Sequence, residues 1–317
     1  LRSEACPVER LAGMRSVLEV QDAMLSAARK SLARQGFLEI RPPIVAPATD
    51  PGLRGAKKFE IDFYGSPWKV TSSMILQKML AASALGKIFA LSPCLRKESL
   101  ESAKTGRHLC EFWQIDAELR KASRDEAMTV AETMLHDVME EVAPFVKEKM
   151  GIELRIPAIP LKRLTYPDAL KMARELGFAV EDGKEIPWDA EKAISERFLD
   201  PFFITDYPRG SRGFYDKVDE KRPDKLLAFD MLYPHGFGEA LSGSQREDVP
   251  ELSMTKLMEI GEDPEAYGWY LDLLREGRIL PTAGFGFGVE RMTRFICDLD
   301  TVAEASAFPR LPGGGGL

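Results

Sequence analysis

Val17, Val20, Met24, Ala28 and Leu32 recur at the spacing of one helix face, and Gly36 follows as a stop, so the chain is expected to begin with an amphipathic helix. Phe37 to Val45 reads as a strand ending at prolines 42 and 43, with a charged, glycine-rich loop after it from Thr49 to Gly55. Two strands flank the turn Tyr64-Gly65-Ser66-Pro67, and Met74 to Leu85 reads as helix. Residues 88–119 divide into two strands around a polar loop. Ser123-Arg124-Asp125-Glu126 is a capping box, and the helix it opens carries Met128, Ala131, Leu135, Val138 and Val142 on one face. Residues 150–225 are richer in proline and charge, with one helix near 166–177, and are expected to form an insertion or lid over a site. Strands return at 226–233 and 237–242. A helix is expected over 251–277, and the apolar run from Ala283 leads into a last helix. Strands clustered between unlike helices predict an α+β fold on an antiparallel sheet, not regular βαβ units. The expected organisation is an N-terminal tail over 1–15, one catalytic domain over 16–312, and a flexible tail over 313–317.

Composition adds limits. The 317 residues are 44% hydrophobic and 29% charged, enough for one large core. A net charge of -7 argues against a protein whose main work is gripping a polyphosphate backbone. Cys6, Cys94, Cys110 and Cys297 form no Cys-x-x-Cys pair, and His108, His136 and His235 lie far apart. A zinc site or disulfide framework is therefore not expected, and a reducing cytoplasm fits. No apolar run is long enough to span a bilayer and no signal peptide is visible, so no membrane partner is expected.

Three clusters carry candidate chemistry. In Leu95-Arg96-Lys97-Glu98, alternation puts Arg96 and Glu98 on one face of a strand. The partner strand puts Phe112, Gln114, Asp116 and Glu118 on one face, and Trp113, Ile115, Ala117 and Leu119 on the core face. Lys104, Arg107 and His108 lie in the loop between. Such a face suits a nucleotide triphosphate and an amino group, or else is a solvated, salt-bridged hairpin. Asp230, Glu239 and Ser242 offer oxygen ligands for Mg²⁺, or are unrelated surface groups. Arg246 follows in Gly243-Ser244-Gln245-Arg246 and could hold a carboxylate by a bidentate pair. Gly284-Phe285-Gly286-Phe287-Gly288-Val289-Glu290-Arg291 lacks the spacing of a dinucleotide fingerprint. Its alternate glycines allow a close approach by a flat ligand or another backbone, and Arg291 could stack on an aromatic base.

Together these clusters resemble the three signature motifs of class II aminoacyl-tRNA synthetases. Phe37 to Pro43 resembles the first, Arg96 to Glu118 the second, and Gly284 to Arg291 the third. The likeness runs from about residue 15 to Pro309. Gly106-Arg107-His108-Leu109, Asp206-Tyr207-Pro208 and Gly243 to Arg246 resemble the asparaginyl/aspartyl branch. The resemblance implies ATP as a substrate, Mg²⁺ on Asp230, Glu239 and Ser242, and a homodimer. It implies that Arg96 holds the α-phosphate, that Glu98, Arg107 and His108 engage the adenosine and outer phosphates, and that Phe112 and Arg291 sandwich the adenine. Asp116 and Ser72 would bind the substrate amino group, Asp50 would close over it, and Arg246 would hold the side-chain carboxylate or amide.

Departures matter as well. About fifteen residues stand where such synthetases carry an anticodon-binding barrel. Gln77 stands where aspartyl enzymes place a side-chain-reading lysine, and Met74 and Thr282 replace other pocket residues. In these respects, and in Asp50-Pro51-Gly52, Gly210 to Tyr215 and Pro281 to Gly284, the chain resembles archaeal-type asparagine synthetases related to asparaginyl-tRNA synthetase. That resemblance implies an AMP-forming aspartate–ammonia ligase, with aspartate, ATP and free ammonia as partners and tRNA as an unlikely one. The competing expectations are an amide ligase for another amino acid or amine, a truncated asparaginyl-tRNA synthetase, and an inactive regulatory paralogue.

Overall fold

The structure, a computed structural model, describes residues 7–51 and 57–314. Parts of the two expected tails, residues 1–6 and 315–317, lie outside the described residues. Two helices open the described chain, α1 (Pro7–Gly13) and α2 (Arg15–Arg34), the second burying Val20, Met24, Ala28 and Leu32 as the periodicity requires. The expected strand over 37–45 is cut to β1 (Leu38–Glu39) and β2 (Val45–Ala46). Pro42 and Pro43 lie between them, where the missing N–H groups interrupt any ladder. β2 joins β3 (Glu60–Phe63) and β4 (Ser66–Val70) in a small antiparallel sheet. Helix α3 (Ile75–Leu85) leads into the long hairpin β5 (Lys87–Leu95) and β6 (Glu111–Arg120). The capping box at Ser123 is complete and opens α4 (Arg124–Met150).

The stretch 150–225 supplies β7 (Lys162–Thr165), α5 (Tyr166–Glu175), α6 (Trp188–Ser195), β8 (Phe202–Thr205), β9 (Val218–Asp219) and the start of β10 (Arg222–Leu226). It is thus woven into the fold, because β7 and β8 extend the main sheet. Strands β11 (Ala228–Tyr233) and β12 (Gly238–Gln245) follow. The single helix expected over 251–277 is two, α7 (Pro250–Glu259) and α8 (Gly268–Arg275). Gly261, at φ 77°, and Pro264 separate them, as a left-handed glycine and a residue without an N–H must. Strand β13 (Thr282–Gly288) runs directly into α9 (Val289–Ile296).

The main sheet has eight strands in the order β1-β5-β6-β13-β12-β11-β8-β7. Its interior pairs are antiparallel, while the outermost strands β1 and β7 pair in parallel. The architecture is α+β, as expected, an antiparallel-centred sheet flanked by helices. Alternation decides what each face does. Ile115, Ala117, Phe285 and Phe287 join residues of α2, α4 and α9 in the largest apolar core. A fully buried Leu or Phe there contributes about 1.5–3 kcal/mol. Gly284, Gly286, Asp116 and Glu118 therefore turn to the opposite face. Trp113, expected on the core face, is 43% exposed, near the loop end of the β5–β6 hairpin. Two further cores anchor what borders that face, one under α5 and α6 and one between α3, α8 and the Phe214–Tyr215 segment. Among the described residues no helix is long and apolar enough to cross a membrane.

Candidate active site

The polar face of the sheet forms the floor of a 490 Å³ cleft. Arg96, Glu98, Arg107, His108, Phe112 and Asp116 line it from the β5–β6 hairpin; Glu239 and Ser242 line it from β12, Arg246 from just past the end of β12, Arg291 from α9, and Asp50 from its loop. Ser72, Gln77 and Asp230 do not reach its wall. The expected closure of the Asp50 loop over a substrate falls on residues 52–56, which lie outside the described residues.

At one end of the cleft, Arg96 lies 5.0 Å from the centroid of the Phe112 ring, and its Nε donates to Ser72 O at 3.2 Å. Arg291 pairs with Glu239 at 2.9 Å. His108 Nδ1 lies 2.7 Å from Thr105 Oγ1, which fixes the ring at the tip of the hairpin. Arg107 is packed against Gly238, where an added Cβ would fall 2.8 Å from its guanidinium. Glu290 is buried at the start of α9 and accepts from Trp113 N through both oxygens, at 3.2 and 3.1 Å. Burial pushes its carboxyl up to about 7 against the pull of that hydrogen bond.

Three carboxylates converge nearby. Oxygens of Glu191, Asp230 and Glu239 lie within 4.8 Å of one another. An all-oxygen set of this kind fits a hard divalent cation such as Mg²⁺. Asp230 is fully buried and accepts from Arg212 Nη2 at 2.6 Å and Tyr207 OH at 2.9 Å, and also from Ser242 Oγ. Arg212 stacks 3.7 Å from the Tyr207 ring centroid. Glu191 and Arg212 come from the 150–225 stretch. Arg212 belongs to the Gly210–Tyr215 run that the resemblance singles out, without a role assigned to it, whereas Glu191 is one charge among many.

At the other end, five charged groups are buried together. Lys78 Nζ donates to Asp116 Oδ1 at 2.7 Å and lies 3.8 Å from Glu118 Oε2. Arg246 grips Glu118 with two parallel bonds, Nε to Oε1 and Nη2 to Oε2, both 3.0 Å. Thr282 Oγ1 donates to Glu118 Oε1 at 2.7 Å, and Arg246 Nη1 lies 3.6 Å from Asp216 Oδ1. The alternate glycines of β13 make room for this network. A Cβ at Gly284 would lie 2.1 Å from Glu118 Oε2, and one at Gly286 2.9 Å from Gln114 Nε2. Side chains of the neighbouring strand thus fill the space that the sequence assigns to a flat ligand or another backbone.

Helix phase explains Gln77 and Lys78. Ile75, Lys78 and Ala82 share the buried stripe of α3 at i, i+3 and i+7, so Lys78 enters the cleft and Gln77 does not. A lysine on the apolar stripe was the available signal. Ser72 works one layer back. Its Oγ donates to Asp50 O at 2.9 Å, and its N–H donates to Thr49 Oγ1 at 3.0 Å. Asp50 Oδ2 in turn accepts from Tyr215 OH at 2.8 Å, and burial beside Asp50 raises the Tyr215 phenol well above its usual range.

Comparison with known proteins places this geometry in a lineage. The family described as tRNA synthetases class II (D, K and N) matches residues 3–312. The asparagine–tRNA ligase of Thermococcus gammatolerans is 33% identical over 305 residues, covering 94% of this chain and 69% of the relative. That of Pyrococcus furiosus is 33% identical over 303 residues, covering 94% and 68%. Among solved structures, asparaginyl-tRNA synthetase from Pyrococcus horikoshii complexed with asparaginyl-adenylate superposes with a TM-score of 0.84 at 33% identity, over 94% of this chain and 69% of that one. The Entamoeba histolytica enzyme with asparaginyl-adenylate gives 0.84 at 25% identity, over 98% and 72%. These names overturn the expectation that tRNA is an unlikely partner. That expectation leaned on the residues before the first helix, and where a chain begins says nothing about its acceptor.

Proposed function

The chain belongs to the class II tRNA synthetase family (D, K and N), and from that premise we propose that it adenylates asparagine with ATP and passes the asparaginyl group to tRNA. The observation that carries the choice of amino acid is the buried network at the side-chain end. Arg246 already spends its fork on Glu118, and Lys78 is held by Asp116. Two cations thus face the carboxyls of Asp116, Glu118 and Asp216. A neutral amide leaves that balance intact. An aspartate side chain would add a further carboxylate to a buried site, which is costly without a new partner.

In this reading the substrate carboxylate attacks the α-phosphorus of ATP, the bond to the outgoing pyrophosphate breaks, and an asparaginyl-adenylate results. A tRNA ribose hydroxyl then attacks the acyl carbon and AMP leaves. Asp116 sits where it can take the substrate amino group, with Lys78 behind it. Arg96 presents its guanidinium to the phosphate, and Phe112 and Arg291 offer faces for the base. Catalysis is mainly positioning and charge neutralisation. Asp230, Glu239 and Glu191 would hold Mg²⁺, which when bound neutralises phosphate charge.

The test is amino-acid-dependent ATP–pyrophosphate exchange, followed by charging of tRNA with labelled asparagine. Exchange that depends on asparagine, with acid-precipitable label on tRNA, is expected. Asparagine formed from aspartate, ammonium and ATP, with AMP released and no label on tRNA, would overturn this reading in favour of an asparagine synthetase.

A further inference from the structure

Asp216 directly follows the Gly210–Tyr215 run, yet no motif in the sequence includes it. The structure buries it, at 5% exposure, on the wall of the cleft. Its backbone is fixed on several sides. The N–H donates to Gly213 O at 3.1 Å, the carbonyl accepts from Lys256 Nζ, and the residue bridges to Arg246. Its Oδ1 accepts from Ser244 Oγ, which itself accepts from Arg246 Nη1 at 2.8 Å. Among the described residues Oδ2 makes no hydrogen bond. The carboxyl is therefore oriented by its neighbours, with one acceptor to spare at the end of the cleft where the side chain would sit.

We propose that Asp216 is a specificity-determining residue of this cleft, its Oδ2 accepting a hydrogen bond from the amide nitrogen of bound asparagine. The assignment rests on the asparagine reading above. An amide brings N–H donors and one carbonyl acceptor. Asp216 takes a donor, and an N–H of Arg246 not engaged by Glu118 or Ser244 is available to the carbonyl. Aspartate brings no donor and sets its carboxylate against that of Asp216, so a lost hydrogen bond and charge repulsion act together.

Asp216→Asn makes the sign testable. Its carbonyl oxygen stays on Ser244 Oγ, so an N–H donor stands where Oδ2 stood, and selection turns toward a carboxylate. The experiment is ATP–pyrophosphate exchange on the full chain, wild type and D216N, with asparagine and with aspartate. The asparagine-to-aspartate ratio of kcat/KM is expected to fall about 100-fold, carried by KM for the amino acids, with KM for ATP and Tm unchanged. Asp216→Ser, which removes the charge with a small polar group, is the second variant, for the case that D216N misfolds. It should lower the ratio about 10-fold with no gain for aspartate. Equal losses for both amino acids, or a parallel rise in KM for ATP, would overturn the assignment while leaving the asparagine reading standing. A wild type that exchanges with aspartate and not asparagine would overturn both.

Discussion

Single side chains show most directly where chemistry and stability compete. Lys78 is a cation placed inside a core helix face, and its removal strands Asp116, whereas Glu118 keeps Arg246 and Thr282. Lys78→Met should cost about 3–5 kcal/mol in urea denaturation, and adding Asp116→Asn should restore part of that loss. A single-mutant loss below about 1 kcal/mol would show that the pair is not effectively buried. Glu290 carries a pH signature. Its carboxyl is raised to about 7 in the fold from 4.5, so the folded chain binds the proton more tightly than the unfolded chain between those values. Its stabilising contribution is complete below about 4.5 and is lost as pH rises through about 7, on the order of 3 kcal/mol in all. Glu290→Gln should lack that slope, and stability curves for the two proteins that run parallel from pH 4 to 8 would contradict it. The sequence makes residues on a strand face readable, because alternation orders Phe112, Gln114, Asp116 and Glu118 on β6 without knowledge of the partner, whereas Arg96 and Glu98, expected on the facing strand, lie just beyond the end of β5. It does not mark Lys78, Glu191 or Asp216, whose meaning depends on which distant carboxylate or cation they meet.

Elements were legible where their signal is local. The face of α2, the capping box of α4 and the β5–β6 hairpin follow from spacing alone. The division of 251–277 into α7 and α8 was written in Gly261 and Pro264, and the apolar periodicity on either side outweighs them in a pattern reading. Strand β13 shows how an element can be specified by its neighbour. Gly284 and Gly286 face β6 side chains, and Phe285 and Phe287 between and after them face the core. Gly284→Ala would put a Cβ 2.1 Å from Glu118 Oε2 and 2.2 Å from the Ala117 carbonyl, so the strands must part. A loss of about 2–3 kcal/mol, with exchange activity abolished, is expected. At Gly288 the nearest atom is 3.5 Å away, on Arg291, and Gly288→Ala should change Tm by less than about 2 °C. Equal effects at the two positions would show that backbone freedom, not room for β6, is what the glycines supply.

Across the whole molecule, pattern reading gave the class of fold and not the order of strands, because pairing between segments 100 or more residues apart leaves no periodic trace. The participation of 162–165 and 202–205 in the main sheet was invisible for that reason. Trp188, 48% exposed on the cleft wall, makes occupancy of the cleft observable. ATP with asparagine should shift its emission, and at about 100 times Kd should add about 2.7 kcal/mol of stability, seen as a rise of several degrees in Tm. No shift in Tm with saturating ATP would contradict a nucleotide site. Strand β13 also has a place in time. It lies between β6 and β12, so the segment β1-β5-β6 and the segment β12-β11-β8-β7 meet only across residues 282–288, which leave the ribosome after the other strands of this sheet. Each half-sheet must wait with an open edge until that strand arrives, and an unpaired edge invites association with another chain. Slow or interrupted synthesis just before residues 282–288 is therefore where this sheet is most exposed to aggregation, and where a chaperone would matter most.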